Sequence, residues 1–287
     1  LEIDPLHLSN LFNLSVAHLL RGQTERALNV ARRLKGDFPN SPWGDLAEVE
    51  ALMGSGRLAR AQQLAREKLA DGNSMLVSSA SSVNMRLGCF DAAIKVAGSP
   101  FGLALAGQER LEEAVAVARD SAAASPGDSN AVLSLLRVLS LAGRHEAVLE
   151  YFDQRWGSLD ALQAYFGFED MTAEVTPIAA AQSSLGQSEA LDKTLAHWGA
   201  RLADPRKQGY ALPYFRFIEA GFEALAGNRE RGLALLEQSI EGGYLDPLLE
   251  IEPKFHKLRE DPEFQRLVAR NLELIDAERE KLGGCGT

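Results

Sequence analysis

Residues 11–39 read LFNLSVAHLLRGQTERALNVARRLKGDFP, and their spacing decides the fold class. Leu11, Leu14, Ser15 and His18 recur at intervals of three and four, the period of one helix face. Gly22 then interrupts the run, because glycine takes the left-handed conformation that ends a helix without steric penalty. Ala27 and Ala31 resume the period on a second helix, where small side chains let two helices approach closely, and Pro39 closes the unit. Gly56 and Ala61 repeat Gly22 and Ala27 after 34 residues, and Gly88 and Ala93 follow after another 32 within Gly88-Cys89-Phe90-Asp91-Ala92-Ala93. The register then slips. Gly107 and Ala114 come early, as though the Ser99-Pro100 break shortened a helix pair, and Pro126 ends that unit. Gly143-Arg144-His145-Glu146-Ala147 opens the next turn, Gly186-Gln187-Ser188-Glu189-Ala190 copies it, and Gly227 to Gly232 places a glycine in the alanine slot. Such a ladder predicts stacked helix pairs, each burying part of its apolar face on its neighbour rather than in one separate core.

Composition agrees. The chain has 287 residues, more than one compact core usually supports but no obstacle to an array. Hydrophobic residues make up 46% and aromatics only 7%, so the apolar set is dominated by helix-favouring Ala and Leu. The formal net charge is −10, from 40 acidic against 30 basic residues, which opposes binding to a phosphate backbone. The cations between Arg26 and Lys35 and between Arg57 and Lys68 are interrupted by acids and read as solvated helix faces. No apolar run is long enough to span a bilayer, so neither nucleic acid nor direct membrane insertion is expected. Cys89 and Cys285 stand too far apart in sequence for a disulfide framework or a metal knuckle and read as free thiols.

The spacing of Leu14, Gly22, Ala27 and Pro39, and the turn at Gly88 to Ala93, resembles the tetratricopeptide repeat, with Leu11, His18 and Ala31 standing where that pattern has Trp, Tyr and Phe. The resemblance implies an all-α, right-handed superhelical solenoid of degenerate helix-turn-helix repeats. It covers about residues 1–247: near-regular over 1–155, degenerate over 156–247, with a bend near 156–172. Pro5, 34 residues before Pro39, reads as the closing turn of an earlier repeat. Residues 248–282 form a C-terminal cap. There Asp261 is an N-cap, Pro262 occupies the first helical position, and Phe264, Val268, Leu272 and Ile275 form one apolar stripe. Residues 283–287 are a flexible tail. The closing Asp-Pro-x-Phe-x-x-Leu is similar to the end of tetratricopeptide regions in large bacterial signalling proteins, which follow cyclase, kinase or winged-helix modules. This implies a regulatory segment, cytoplasmic or periplasmic, of a longer chain that senses a ligand or forms a homodimer.

Chemistry is hard to place. Gly102 to Gly107 has the glycine spacing of a phosphate loop, but Gln108 and Glu109 stand where Lys and Ser/Thr are needed, so a helix end is the reading. His7, His18, His145, His197 and His256 are scattered, and His18 reads as a packed core residue. No cofactor, metal or catalytic residue is predicted. In the solenoid the first helix of each pair lines the concave side. This puts Phe12, Val16 and Leu19, then Leu46, Glu50 and Met53, then Ser78, Ser82, Met85 and Arg86, against a bound partner. Family members that grip a carboxy terminus use Lys and Asn at some of these places. Phe12 and Val16 argue instead for an apolar or amphipathic protein segment held by a non-catalytic scaffold.

Overall fold

The computed structural model describes residues 5–166 and 174–285. Every regular element among them is helical. The first three pairs are α1 (Pro5–Leu20) with α2 (Thr24–Asp37), α3 (Trp43–Gly54) with α4 (Leu58–Ala70), and α5 (Val77–Arg86) with α6 (Phe90–Ala97). A short α7 (Gly102–Gly107) pairs with α8 (Leu111–Ala124), and α9 (Ser129–Leu141) with α10 (His145–Arg155). After α11 (Leu159–Phe166) come α12 (Val175–Ser184) with α13 (Ser188–Lys207), and α14 (Pro213–Leu225) with α15 (Arg229–Glu241). Two 3-10 segments, Leu249–Ile251 and Pro253–Leu258, lead into α16 (Pro262–Glu280). Successive pairs stack: α3 packs on both α1 and α5, and α9 on α7.

The glycine ladder sets these turns. Gly22, Gly56, Gly88, Gly143, Gly186 and Gly227 all have positive φ, and the next helix begins two residues after each. Ala27, Ala61, Ala93 and Ala114 are buried, and so is Gly232 in the same slot, where an added Cβ would lie 3.2 Å from the backbone of Ala224 on the paired helix. One rung is corrected. The left-handed residue before α8 is Glu109, at φ 63, not Gly107. Gly107 instead makes room for the Phe90 ring, 2.3 Å from where its Cβ would stand. The bend expected at 156–172 falls partly on residues 167–173, which lie outside the described residues.

The C-terminal third returns to the first three pairs. Backbone N–H groups of Ala211 and Leu212 both donate to the Leu20 carbonyl, at 2.8 and 3.1 Å, satisfying one of the carbonyls left open at the end of α1. One continuous apolar core joins Leu58, Val83 and Leu87 to Phe217, Phe255, Phe264 and Ile275. A second joins Leu105, Leu136 and Val148 to Trp198, Phe215 and Leu248. Asp261 caps α16 as its sequence predicts, accepting from the Glu263 N–H at 2.9 Å ahead of Pro262.

Four other expectations are corrected. Leu272 is 39% exposed; the inward stripe of α16 runs through Phe264, Val268, Asn271 and Ile275 to Glu278, and the Glu278 carboxylate accepts from the Ala59 N–H of α4 at 2.7 Å. Cys89 and Cys285 form a disulfide, with Cα atoms 5.3 Å apart, because the end of α16 lies against the α5–α6 turn. That bond fastens residues 283–285 to the third pair, while Gly286 and Thr287 lie outside the described residues. Leu14 is 43% exposed, with no described residue burying it, and His18 is only half buried, its Nδ1 2.8 Å from Gln23 Oε1.

The turn glycines meet the returning chain at close range. A Cβ on Gly56 would sit 2.6 Å from Gly243 Cα, and one on Gly22 3.1 Å from the Ala211 carbonyl oxygen. Gly143 has the same left-handed φ but open space around it. Gly143→Ala is therefore expected to lower stability by about 1–2 kcal/mol, the cost of the left-handed conformation alone. Gly56→Ala adds about 1–3 kcal/mol of overpacking. Urea unfolding midpoints of the two variants measure the difference, and equal losses would show that the chain does not close on Gly56.

Candidate functional site

Nine of the ten groove residues share one helical spacing, and Arg86 adjoins the last of them. Positions 12, 16 and 19 on α1, 46, 50 and 53 on α3, and 78, 82 and 85 on α5 each step by four and then three, which aligns them on one face of each helix. The structure brings them together on two adjoining recesses. The first, about 610 Å³, is bounded by Phe12, Val16, Leu19, Leu46, Glu50 and Met53, with Leu212 and Tyr214 opposite. The second, about 730 Å³, takes Ser78 and Met85, with Met75, Phe101 and Leu103 beyond. Ser82, Arg86 and Tyr244 border both. Leu19 is itself buried, and the others are half buried or exposed.

Arg86 holds the floor to its cover. Its Nη1 donates to the Met53 carbonyl at 2.7 Å, Nη2 to the Gly243 carbonyl at 2.7 Å and Nε to the Leu245 carbonyl at 3.2 Å, and its guanidinium lies 4.7 Å from the Tyr244 ring centre. Burial raises the Tyr244 hydroxyl well above its ordinary range, with Asp246 adding to the shift, so it stays protonated as a neutral donor. On α3, Glu50 Oε1 accepts from Ser79 Oγ at 2.6 Å. Burial raises the Glu50 carboxyl above the usual range, while the Ser79 hydroxyl and the nearby Arg86 charge oppose the rise.

Behind the recesses lies a charged cluster that periodicity does not foresee. Leu133, Arg137 and Ser140 on α9 repeat the four-then-three step and face a cavity of about 90 Å³ together with Glu252 and Lys254. Arg137 Nη2 donates to Glu252 Oε1 at 2.5 Å and to Asp246 Oδ2 at 3.1 Å, and Lys254 Nζ donates to Glu252 Oε2 at 3.0 Å. Lys254 Nζ also lies 3.8 Å from the Phe217 ring centre, and its stem crosses α14 where a Cβ on Gly221 would be 2.4 Å away. Asp246 is held by backbone as well: Oδ1 accepts from the Leu248 N–H, and the Asn271 side chain bonds both its N–H and its carbonyl. The one advance signal was Arg137, a lone charge in the apolar run Val132 to Leu141. Tyr244, Asp246, Glu252 and Lys254 sit in non-periodic chain and gave none.

This cluster is saturated internally, each carboxylate already facing a cation, and its geometry is that of a packed ionic core rather than an acid-base pair. Among the described residues no group of three or more His, Cys, Asp or Glu could hold a metal ion, and no helix is long and apolar enough to cross a membrane. Gly102 lies inside α7 against Val138 and Ala118, so the phosphate-loop spacing is used for packing.

Burial by itself would raise the Glu252 carboxyl, but Lys254 and Arg137 hold it down at about 2. A carboxyl lowered in the fold contributes stability that is complete above its unfolded value near 4.5 and disappears as pH falls through 2. Glu252→Gln is expected to lower the neutral-pH unfolding free energy by about 3–5 kcal/mol, the cost of leaving buried cations without their partner, and to remove much of the acid dependence between pH 4.5 and 2. Chemical denaturation at pH 7 and pH 3 reads both, and an unchanged acid slope would refute the assignment.

Comparison of the chain with family models, with curated proteins and with solved structures finds no match.

Proposed function

We propose that the stacked pairs are degenerate tetratricopeptide-type units of a right-handed solenoid, and that the protein is a non-catalytic module holding a segment of another protein along its first three pairs. What supports the reading is the convergence of the ten residues, placed on the concave side by the resemblance, on two recesses that meet at Arg86 and Tyr244. The walls differ in a way that suits an amphipathic segment. The first recess is lined by Phe12, Val16, Leu46 and Met53, and the second carries Ser78, Ser81, Ser82 and Ser99 among apolar groups. Flexible Met side chains adapt to varied apolar partners, and serine hydroxyls can serve a peptide backbone as donors or acceptors. The site is preformed, because Arg86 ties α3 to the covering chain, so little ordering opposes binding.

The C-terminal return forms the opposite wall of both recesses, which confines the partner to a short stretch rather than the full concave length. Of the cytoplasmic and periplasmic settings, the Cys89–Cys285 bond favours the oxidising one.

Selection of capped twelve-residue peptides from a display library against the whole chain tests the reading. Phe12→Glu and Met53→Glu are each expected to weaken a selected peptide at least tenfold, with circular dichroism and melting unchanged. Unaltered binding by both folded variants would remove the groove from consideration.

A further inference from the structure

The first recess is apolar on most sides, and Glu50 and Arg86 are the charged groups that line it. One oxygen of that carboxylate accepts from Ser79 Oγ. The other has no hydrogen-bond partner, and Glu50 makes no ion pair, among the described residues. The Arg86 charge favours the ionised Glu50, but its N–H groups are directed at the carbonyls of Met53, Gly243 and Leu245 and its face at the Tyr244 ring, so it gives Glu50 no hydrogen bond. A carboxylate at an apolar wall is poorly solvated, and a cation brought beside it recovers part of the lost stabilisation. Phe12, Tyr214 and Tyr244 border the same space, and aromatic faces attract cations. The chain carries a net charge of −10, which draws basic segments toward it and repels acidic ones.

We infer that the first recess receives a lysine or arginine side chain of the bound segment, its methylene stem against Phe12, Val16, Leu46 and Met53 and its charged head on the free oxygen of Glu50. The inference rests on the groove reading above and adds to it the residue that sets specificity. Long basic side chains combine an apolar stem with a polar tip, and this recess offers the complementary pair of surfaces. Burial raises the Glu50 carboxyl, and a bound cation opposes that rise, so binding of such a side chain favours the ionised acid.

The test uses the same library of capped twelve-residue peptides on the whole chain, with Glu50→Gln as the variant. Glutamine keeps the size of the side chain and an acceptor for Ser79 but removes the charge. Peptides enriched on the native chain are expected to carry Lys or Arg at one position flanked by apolar residues, and those enriched on Glu50→Gln to keep the apolar flank and lose the basic position. Replacing that Lys by norleucine in a selected peptide is expected to weaken binding to the native chain about tenfold and to leave binding to Glu50→Gln within twofold. Enrichment of apolar peptides without a basic position, or an equal norleucine effect on both proteins, overturns this inference while leaving the groove intact. Failure to enrich any peptide overturns the groove reading and this inference with it.

Discussion

Glu252 is 3% exposed yet ionised, and an isolated buried carboxylate would be destabilised by several kcal/mol. The fold is arranged so that it is never isolated. Arg137 arrives from α9 and Lys254 from the same turn, while Gly221 clears a path across α14 for the lysine stem. Asp246 holds the other side of Arg137 and is fixed by Asn271 of α16. Helices far apart in sequence must therefore reach their places together, because each provides a partner the others require. This is why the chain closes through residues 243–255 rather than ending as an open stack, and why the inner sides of α9, α12 and α14 are filled from within.

The glycine ladder serves closure as much as it serves turns. Each early turn glycine ends a helix, but Gly56 also lets another backbone approach within a distance no Cβ allows, and Gly22 within one that few Cβ atoms tolerate. Glu278 then supplies the N-terminus of α4 with an acceptor, and the disulfide binds the end of α16 to the third pair. A cross-link spanning 196 residues removes much of the freedom of the unfolded chain, about 5 kcal/mol in the chain-entropy account. The C-terminal helix thus acts on the early turns one by one, through a capping carboxylate at the second pair and a covalent bond at the third.

What could be read in advance was local. The helical class, the left-handed turn at six glycines, the small residue five positions after Gly22, Gly56, Gly88 and Gly227, and the Asp261-Pro262 helix start all depend on residues within a few turns of one another, and the structure has each of them. Errors arose where distant chain decided. Glu109 takes the left-handed turn because Gly107 is needed against Phe90. Leu272 faces outward because Asn271 and Glu278, polar residues that a hydrophobic count discards, have partners at Asp246 and Ala59. The cysteines pair because the chain returns, and nothing in their spacing signals a return. For the groove, the three-helix face was legible in the repeated four-then-three step. Its opposite wall, Leu212, Tyr214 and Tyr244, was not, because those residues reach it through the return.

That division bears on how the groove could work. A face read from helical spacing alone predicts a long open trough, in which affinity accumulates over many weak contacts along several pairs. The closed arrangement replaces the trough with two short recesses divided by Tyr244, each with a wall from the early pairs and a wall from the return. On the proposed reading, a segment held in them touches both parts of the chain at once. Contacts that bridge the two parts favour the closed form over any opened one by their differential affinity, so binding and closure stabilise each other. Arg86 joins the two parts most directly, since its three carbonyl partners lie on α3 and on the return while its side chain borders both recesses.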